Sequence, residues 1–309
     1  MRTPNFPRAP ALSPDARGLT RLIEEMAQAG ASDLHIKVPG RPQVRVDGAL
    51  VPMPHERLLP VHTSGFAQAV LELAGEPPSD GVLRDARVAF SVEGVGRFRA
   101  QVARQRGSYE IVVHRVQLEA PRMVDFPGLD VVGAAFSGPP GLFLVGGGRQ
   151  RRAALAAIVR EFNEHHWGRL VSIEDPIDWL HRDARASVSQ REVGTDVATI
   201  HEGLSAAMRQ DADAIVVTDV PTEADAEVVL RAAEEGLFVF AGLPVAGADD
   251  GVLAFAGRFP AAREREVAAR VASVLRGVAL VEPDASVQWR PIDGSHRAAL
   301  RAGRLSLVG

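Results

Sequence analysis

From residue 141 onward the chain alternates short, almost wholly apolar runs with helix-length segments, and this alternation restricts the fold more than any other feature. Leu142-Phe143-Leu144-Val145, Leu170-Val171-Ser172-Ile173, Ala214 to Val217 and Leu237 to Ala241 read as strands with no solvent-facing side. Strands of that kind belong to parallel sheets, whose crossover helices bury both faces. Arg151 to Asn163, Ile200 to Arg209 and Glu223 to Glu235 supply the helices between them. Pro260 is expected to open a long amphipathic helix with Val267, Val271, Val274 and Leu275 on one face. A doubly covered α/β sheet is therefore expected over 141–282, followed by a weakly patterned, Arg-rich tail over 283–309.

The first part of the chain has a different texture. Leu19, Leu22, Ile23 and Met26 recur at helical spacing and Gly30 ends the pattern. Residues 31–38 alternate as a strand, Pro39-Gly40 turns the chain, and residues 42–48 form a second strand entering an Asp47-Gly48 turn. Thr63 to Ala74 is helical. Val88 to Val92 and Arg97 to Val102 flank Glu93-Gly94-Val95-Gly96 as a hairpin, and Ser108 to Val116 is a further strand. This describes a small α+β domain over 18–117, preceded by a Pro- and Arg-rich flexible arm over 1–17. The Pro- and Gly-containing stretch over 118–140 reads as a linker.

Composition removes whole classes of function. The chain has 309 residues, enough for two domains that each bury a core. A net charge of −4 argues against a strongly basic nucleic-acid binder. The absence of cysteine removes disulfide scaffolds, thiolate catalysis, zinc fingers and iron–sulfur clusters. The longest apolar stretch, Val131 to Gly148, is broken by Gly133, Gly138, Pro139, Pro140 and Gly141, so no membrane span is expected. Pro4, Pro7, Pro10 and Pro14 interrupt any signal-peptide core, and a cytoplasmic location is expected.

A strand, a glycine run and a helix together form the architecture of a phosphate cradle, because backbone amides and the helix N-terminus supply a positive field. Here the run is Gly146-Gly147-Gly148-Arg149-Gln150-Arg151-Arg152. A phosphate-binding loop needs G-x-x-x-x-G-K-[ST]. With Arg151 in the lysine position, Arg152 falls on the hydroxyl residue, Gln150 on the second glycine and Val145 on the first. Gln150 lacks the backbone freedom of glycine, Arg152 has no hydroxyl for Mg²⁺, and a planar guanidinium does not replace a compact ammonium. Three arginines at a helix N-terminus are electrostatically disfavoured, and Arg149, Arg151 and Arg152 are expected to splay into solvent. Replacing Gln150, Arg151 and Arg152 by Gly, Lys and Ser is expected to recover nucleotide binding. His35, His165 and His166 lack metal-like spacing and read as structural, so no metal ligands are assigned. Trp167 and Trp179 read as core or interface aromatics.

Ser172-Ile173-Glu174-Asp175-Pro176-Ile177-Asp178 and Val188-Ser189-Gln190-Arg191-Glu192-Val193-Gly194 resemble the Asp box and the downstream Q-R-E-V-G of the type II/type IV secretion ATPase superfamily, in particular its type IV pilus retraction ATPases. Further segments resemble that family in the same order: Ala31 to His35, Val44 to Gly48, Gly96 to Arg99, Arg104 to Gly107, Ala206 to Asp213, Ala232 to Gly236 and Phe259-Pro260. The resemblance implies a PAS-like N-terminal domain, a linker and a RecA-like ATPase domain. It also implies a hexameric ring with ATP and Mg²⁺ held between domains and a neighbouring subunit. On that resemblance Glu174 is a catalytic candidate, as is Asp219 at the end of the strand Ile215-Val216-Val217. Gly146, Gly147, Gly148, Arg151 and Arg152 become nucleotide-binding candidates, joined by Arg97, Arg99, Arg104 and Arg115 of the N-terminal domain.

The chain also departs from the family pattern. Asp219 stands where the family has Glu, and Thr218 replaces glycine. The His box reads Ala241-Gly242-Leu243-Pro244-Val245, with Pro244 in place of histidine. Phosphoryl transfer depends almost wholly on positioning and charge. These departures favour a non-hydrolysing regulatory or structural partner in a type IV pilus or type II secretion motor. The alternative is an active hexameric ATPase for pilus retraction (twitching motility) or secretion. Expected partners are homo- or hetero-oligomeric rings of such ATPases and an inner-membrane pilus platform protein, placing the chain in the cytoplasm or at the inner-membrane surface.

Overall fold

A computed structural model describes residues 12–77, 83, 85–247 and 250–305. The expected arm over 1–17 lies mostly outside these residues. The chain divides after Leu118 into two compact units.

The first unit carries helices α1 (Ala16–Gln28) and α2 (Pro60–Ala74) and strands β1 (Asp33–Ile36), β2 (Gln43–Val46), β3 (Ala49–Pro52), β4 (Asp85–Val92), β5 (Gly96–Gln105) and β6 (Ser108–Arg115). The strands form one sheet in the order β3-β2-β1-β6-β5-β4, with every pair antiparallel. Asp15 caps α1 by accepting from the Gly18 amide at 3.0 Å. Leu19, Leu22, Ile23 and Met26 then face the sheet, where Leu34, Ile36, Val44, Phe98, Val102, Ile111 and Val113 complete a fully buried core. Strand β3 was not expected. The Asp47-Gly48 turn produces it, because both residues adopt positive φ (49° and 80°) and fold the chain straight back onto β2.

The second unit is built on strands β7 (Gly141–Gly147), β8 (Arg169–Glu174), β9 (Ser187–Glu192), β10 (Ala214–Val217), β11 (Phe238–Leu243), β12 (Leu275–Val281) and β13 (Val287–Pro291). Their order is β13-β12-β7-β11-β10-β8-β9, parallel throughout except for β13. The helices are α3 (Asp130–Ala134), α4 (Gln150–His165), α5 (Ile200–Met208), α6 (Glu223–Glu234), α7 (Asp250–Ala256), α8 (Glu264–Val274) and α9 (Gly294–Arg301). Alternation along β7 sends Phe143 and Val145 to the α4 side and Leu142 and Leu144 to the α5–α8 side, so both faces are buried as the apolar runs require.

Three expectations over this unit need correction. The stretch expected as a linker is packed, because Met123, Phe126, Leu129, Val132 and Phe136 are buried against α4 and the sheet. The long helix stops at Val274, and Leu275 starts β12, which lies beside β7 at the centre of the sheet. The tail forms β13 and α9, anchored by Trp289 against the face of Gly277 and by fully buried Leu300.

Candidate functional site at the carboxyl edge of the parallel sheet

In open parallel sheets, ligands bind beyond the carboxyl ends of the strands. Here that edge carries Gly146-Gly147-Gly148 after β7, Glu174 at the end of β8, Thr218-Asp219 after β10 and Leu243-Pro244-Val245 at the end of β11. Strand order therefore brings together the second-unit site candidates. Arg97, Arg99, Arg104 and Arg115 lie on β5 and β6 of the first unit and do not share one face. Arg115 pairs with the buried Phe98 across β5–β6, on the side facing α1, and its guanidinium reaches the Ala27 carbonyl of that helix at 3.5 Å. Arg97 and Arg99 flank Phe98 and project to the opposite side. Arg104 stays at the β5–β6 turn, bound to the Gly107 carbonyl at 2.9 Å and stacked over Tyr109.

The turn from β7 into α4 is short. Gly147 is the last paired residue of β7 and Gln150 the first of α4, leaving Gly148 and Arg149 as the turn. Three residues separate Gly147 from Arg151, whereas the phosphate-loop motif places four free positions and a glycine between its first glycine and its lysine. A side chain also fills the space above the strand end: a Cβ at Gly146 would lie 2.6 Å from a methyl of Val245. Gly242 lies beneath the Thr218 carbonyl, only 2.3 Å from where its Cβ would be, so β11 and β10 approach closely at this edge.

The arginines of α4 do not splay. The Arg151 guanidinium turns back under the sheet edge. It donates to the Gly147 carbonyl at 3.3 Å, the Thr218 carbonyl at 3.3 Å and the Asp219 carboxylate at 3.2 Å. Its side chain is 11% exposed, and burial pulls its pKa below the ordinary value against the opposing pull of Asp219. Arg152 donates to the Asp175 carbonyl at 2.7 Å and to the Pro176 carbonyl, and lies 2.8 Å from the Asp178 carboxylate. The expectation of splaying fails because acidic and carbonyl partners at the ends of β8 and β10 compensate for the unfavourable helix end. Only Arg149 remains exposed.

Glu174 is buried at the end of β8. Its carboxyl accepts from the Ser172 hydroxyl at 2.6 Å and the Gln190 amide at 2.9 Å. Burial pushes its pKa up to about 7, although both hydrogen bonds favour the charged form. Gln190 also donates to the Trp179 carbonyl at 2.8 Å, and Glu192 accepts from the Ile177 amide at 3.1 Å. The Q-R-E segment thus fastens the Asp-box loop through side chains. Nothing in the sequence of this segment signals that role, which arises only when β9 pairs with β8. Among the described residues, no three His, Asp or Glu side chains converge in a way that could hold a metal ion. Trp167 is 81% exposed, not in the core.

These residues do not fit a magnesium nucleotide held by a loop of amides, a lysine and a hydroxyl. The turn is too short, Arg151 is already bound to protein groups, and Arg152 points to the Asp-box loop. The three substitutions to Gly, Lys and Ser would leave the turn at two residues.

Comparison with known proteins identifies the fold's relatives. The family model for type II/IV secretion system proteins matches residues 110–255. The type IV pilus ATPase PilU of Pseudomonas aeruginosa is 28% identical over 251 residues, covering 80% of this chain and 65% of PilU. The retraction ATPase PilT of the same organism is 29% identical over 267 residues, covering 84% of this chain and 76% of PilT. A crystal structure of the pilus retraction motor PilT with bound ADP superposes with a TM-score of 0.79 at 26% identity, covering 93% of this chain and 87% of that one. Over most of its length the chain is similar to the type II/IV secretion ATPase superfamily and its pilus retraction members. Its fold is that superfamily's arrangement of a small α+β unit before a RecA-like parallel sheet. Among the described residues, no helix of this secretion-ATPase relative is long and apolar enough to cross a membrane.

Proposed function

We propose that this chain is a non-hydrolysing subunit of a type IV pilus or type II secretion motor, acting as a regulatory or structural partner of active family members. One observation carries the reading: the first turn of α4 closes onto the sheet through Arg151 and Asp219 at the place where a family member holds nucleotide phosphate. Electrostatic donors aimed at a transferring group commonly contribute 10²–10³ in rate each, so losing the lysine, the hydroxyl and the amide loop together removes turnover. The partner role rests on the family's shared motifs surviving outside the cradle, among them Ala31 to His35, Gln190-Arg191-Glu192 and Phe259-Pro260. Its setting would be a homo- or hetero-oligomeric ring in the cytoplasm, beside an inner-membrane platform protein.

Purified protein should show no Mg-ATP hydrolysis above background, and should co-elute with an intact retraction ATPase in size-exclusion light scattering. Elution as a monomer both alone and in the mixture would exclude the partner role. A second reading, an active motor, draws on Glu174, a carboxyl held near neutrality at a strand end as general bases are. Turnover in the unmodified chain that disappears in Glu174→Gln would establish that reading instead.

A further inference from the structure

Consecutive residues on one helical turn point about 100° apart, so they ordinarily serve different surfaces. Arg151 and Arg152 use that divergence to reach two strand ends at once. Arg151 ties the end of β7 (Gly147 carbonyl) to the end of β10 (Thr218 carbonyl and Asp219 carboxylate). Arg152 ties the same turn of α4 to the loop after β8, through the Asp175 and Pro176 carbonyls and the Asp178 carboxylate. The Thr218 hydroxyl completes the circuit by accepting from the Asp175 amide at 3.2 Å. Three strand ends and one helix start are therefore joined by two guanidinium groups, both largely shielded, at 11% and 22% exposure.

The charges in this circuit close on themselves. The N-terminus of α4 has no acidic residue in its first turn and no side-chain cap, so it needs negative charge nearby. Asp219 and Asp178 supply it. Those two carboxylates in turn need a positive counter-charge, and the two guanidiniums supply that.

We infer that Arg151 and Arg152 form an internal clamp that holds the carboxyl edge in one fixed arrangement, making the subunit's conformation independent of nucleotide and divalent cation. The inference deepens the proposed function, on which it rests: it says how such a subunit keeps its shape through a cycle in which its neighbours change theirs. The clamp relies on the fork geometry of guanidinium, which can bridge two carbonyls and a carboxylate together where an ammonium cannot.

The test is hydrogen–deuterium exchange with thermal melting on the full chain, without nucleotide. In Arg151→Gln/Arg152→Gln, amide protection over 146–149, 175–178 and 218–220 should fall at least tenfold and Tm by about 5 °C. Millimolar Mn²⁺ should raise the Tm of that variant, whose carboxylates have lost their counter-charges. It should leave the wild-type Tm unchanged within about 1 °C, as should millimolar Mg-ATP. If the double variant does not fold, the single lysine variants decide. Arg151→Lys should loosen 146–149 and 218–220 but not 175–178, and Arg152→Lys 175–178 alone. Unchanged exchange in all foldable variants, or a wild-type Tm raised several degrees by Mg-ATP, would overturn the clamp. Unchanged exchange without turnover leaves the proposed function standing. Turnover with the exchange pattern as expected removes the proposed function and the independence of nucleotide, and leaves only the tie between the strand ends.

Discussion

Glu174 is a buried carboxyl that prefers to be neutral, and that preference has a sign. Its pKa is about 7 in the folded chain and 4.5 for an ordinary glutamate, so between those values the folded state binds the extra proton. Stability contributed by this group is therefore greatest below the unfolded value and is lost as pH rises towards the folded one. Glu174→Gln keeps an acceptor for Ser172 and Gln190 but removes the titration. The Tm of the variant relative to wild type should thus climb steadily from about pH 5 to about pH 8. A difference that stays flat across that range would show that Glu174 is ionised throughout. At the same scale, Arg151 shows why side-chain chemistry at this edge was only half legible. Its position on the first turn of α4 could be read from the run of glycines. Its direction could not, because Asp219 lies sixty-eight positions away in sequence and becomes a neighbour only when β7, β11 and β10 pair.

Among the elements, α6 and α8 are fastened along their outer surfaces by two arginines. Arg270 meets Glu234 through both carboxylate oxygens, at 2.8 and 2.9 Å, and Glu227 at 2.8 Å. Arg263 meets Glu223, Glu227 and Glu266 at 2.7–3.1 Å. Hydrogen bonding to these glutamates pushes both guanidiniums above their ordinary range, against desolvation. A single exposed pair is worth little, but a shared bidentate network is worth more. Arg270→Ala should lower Tm by about 2–4 °C in low salt and by clearly less in 1 M NaCl. Equal losses in both salts would point to lost packing, not charge. The elements built from apolar runs, β7, β8, β10 and β11, were legible because two covered faces leave no room for polar residues. Strand β9 was missed because it lies at the sheet edge, where Ser187, Ser189 and Arg191 are tolerated. Strand β12 was missed because no glycine or proline separates Val274 from Leu275, so the helical pattern of α8 runs into the strand without a break.

The whole molecule is two bodies with separate interiors: Phe66 and Phe98 anchor one core, Phe143, Phe240 and Phe255 the layers of the other. A fragment of residues 12–118 therefore contains a complete sheet and both helices that cover it. It should melt cooperatively on its own, followed by circular dichroism, whereas a fragment ending at residue 105 should not, because β6 joins β5 to β1 at the middle of that sheet. The change of texture in the sequence falls at 141, whereas the units divide after Leu118. Between the two points, the prolines and glycines of 118–140 mask five spaced apolar residues that the structure buries. The two-residue turn from β7 into α4 also sets a limit on descent. Point substitution can place a lysine or a serine one codon at a time. It cannot add length. Only an in-frame insertion could lengthen the turn, and its residues would have to push aside an arginine already held at the ends of β7 and β10. The length of this turn, unlike its side chains, is therefore out of reach of point mutation.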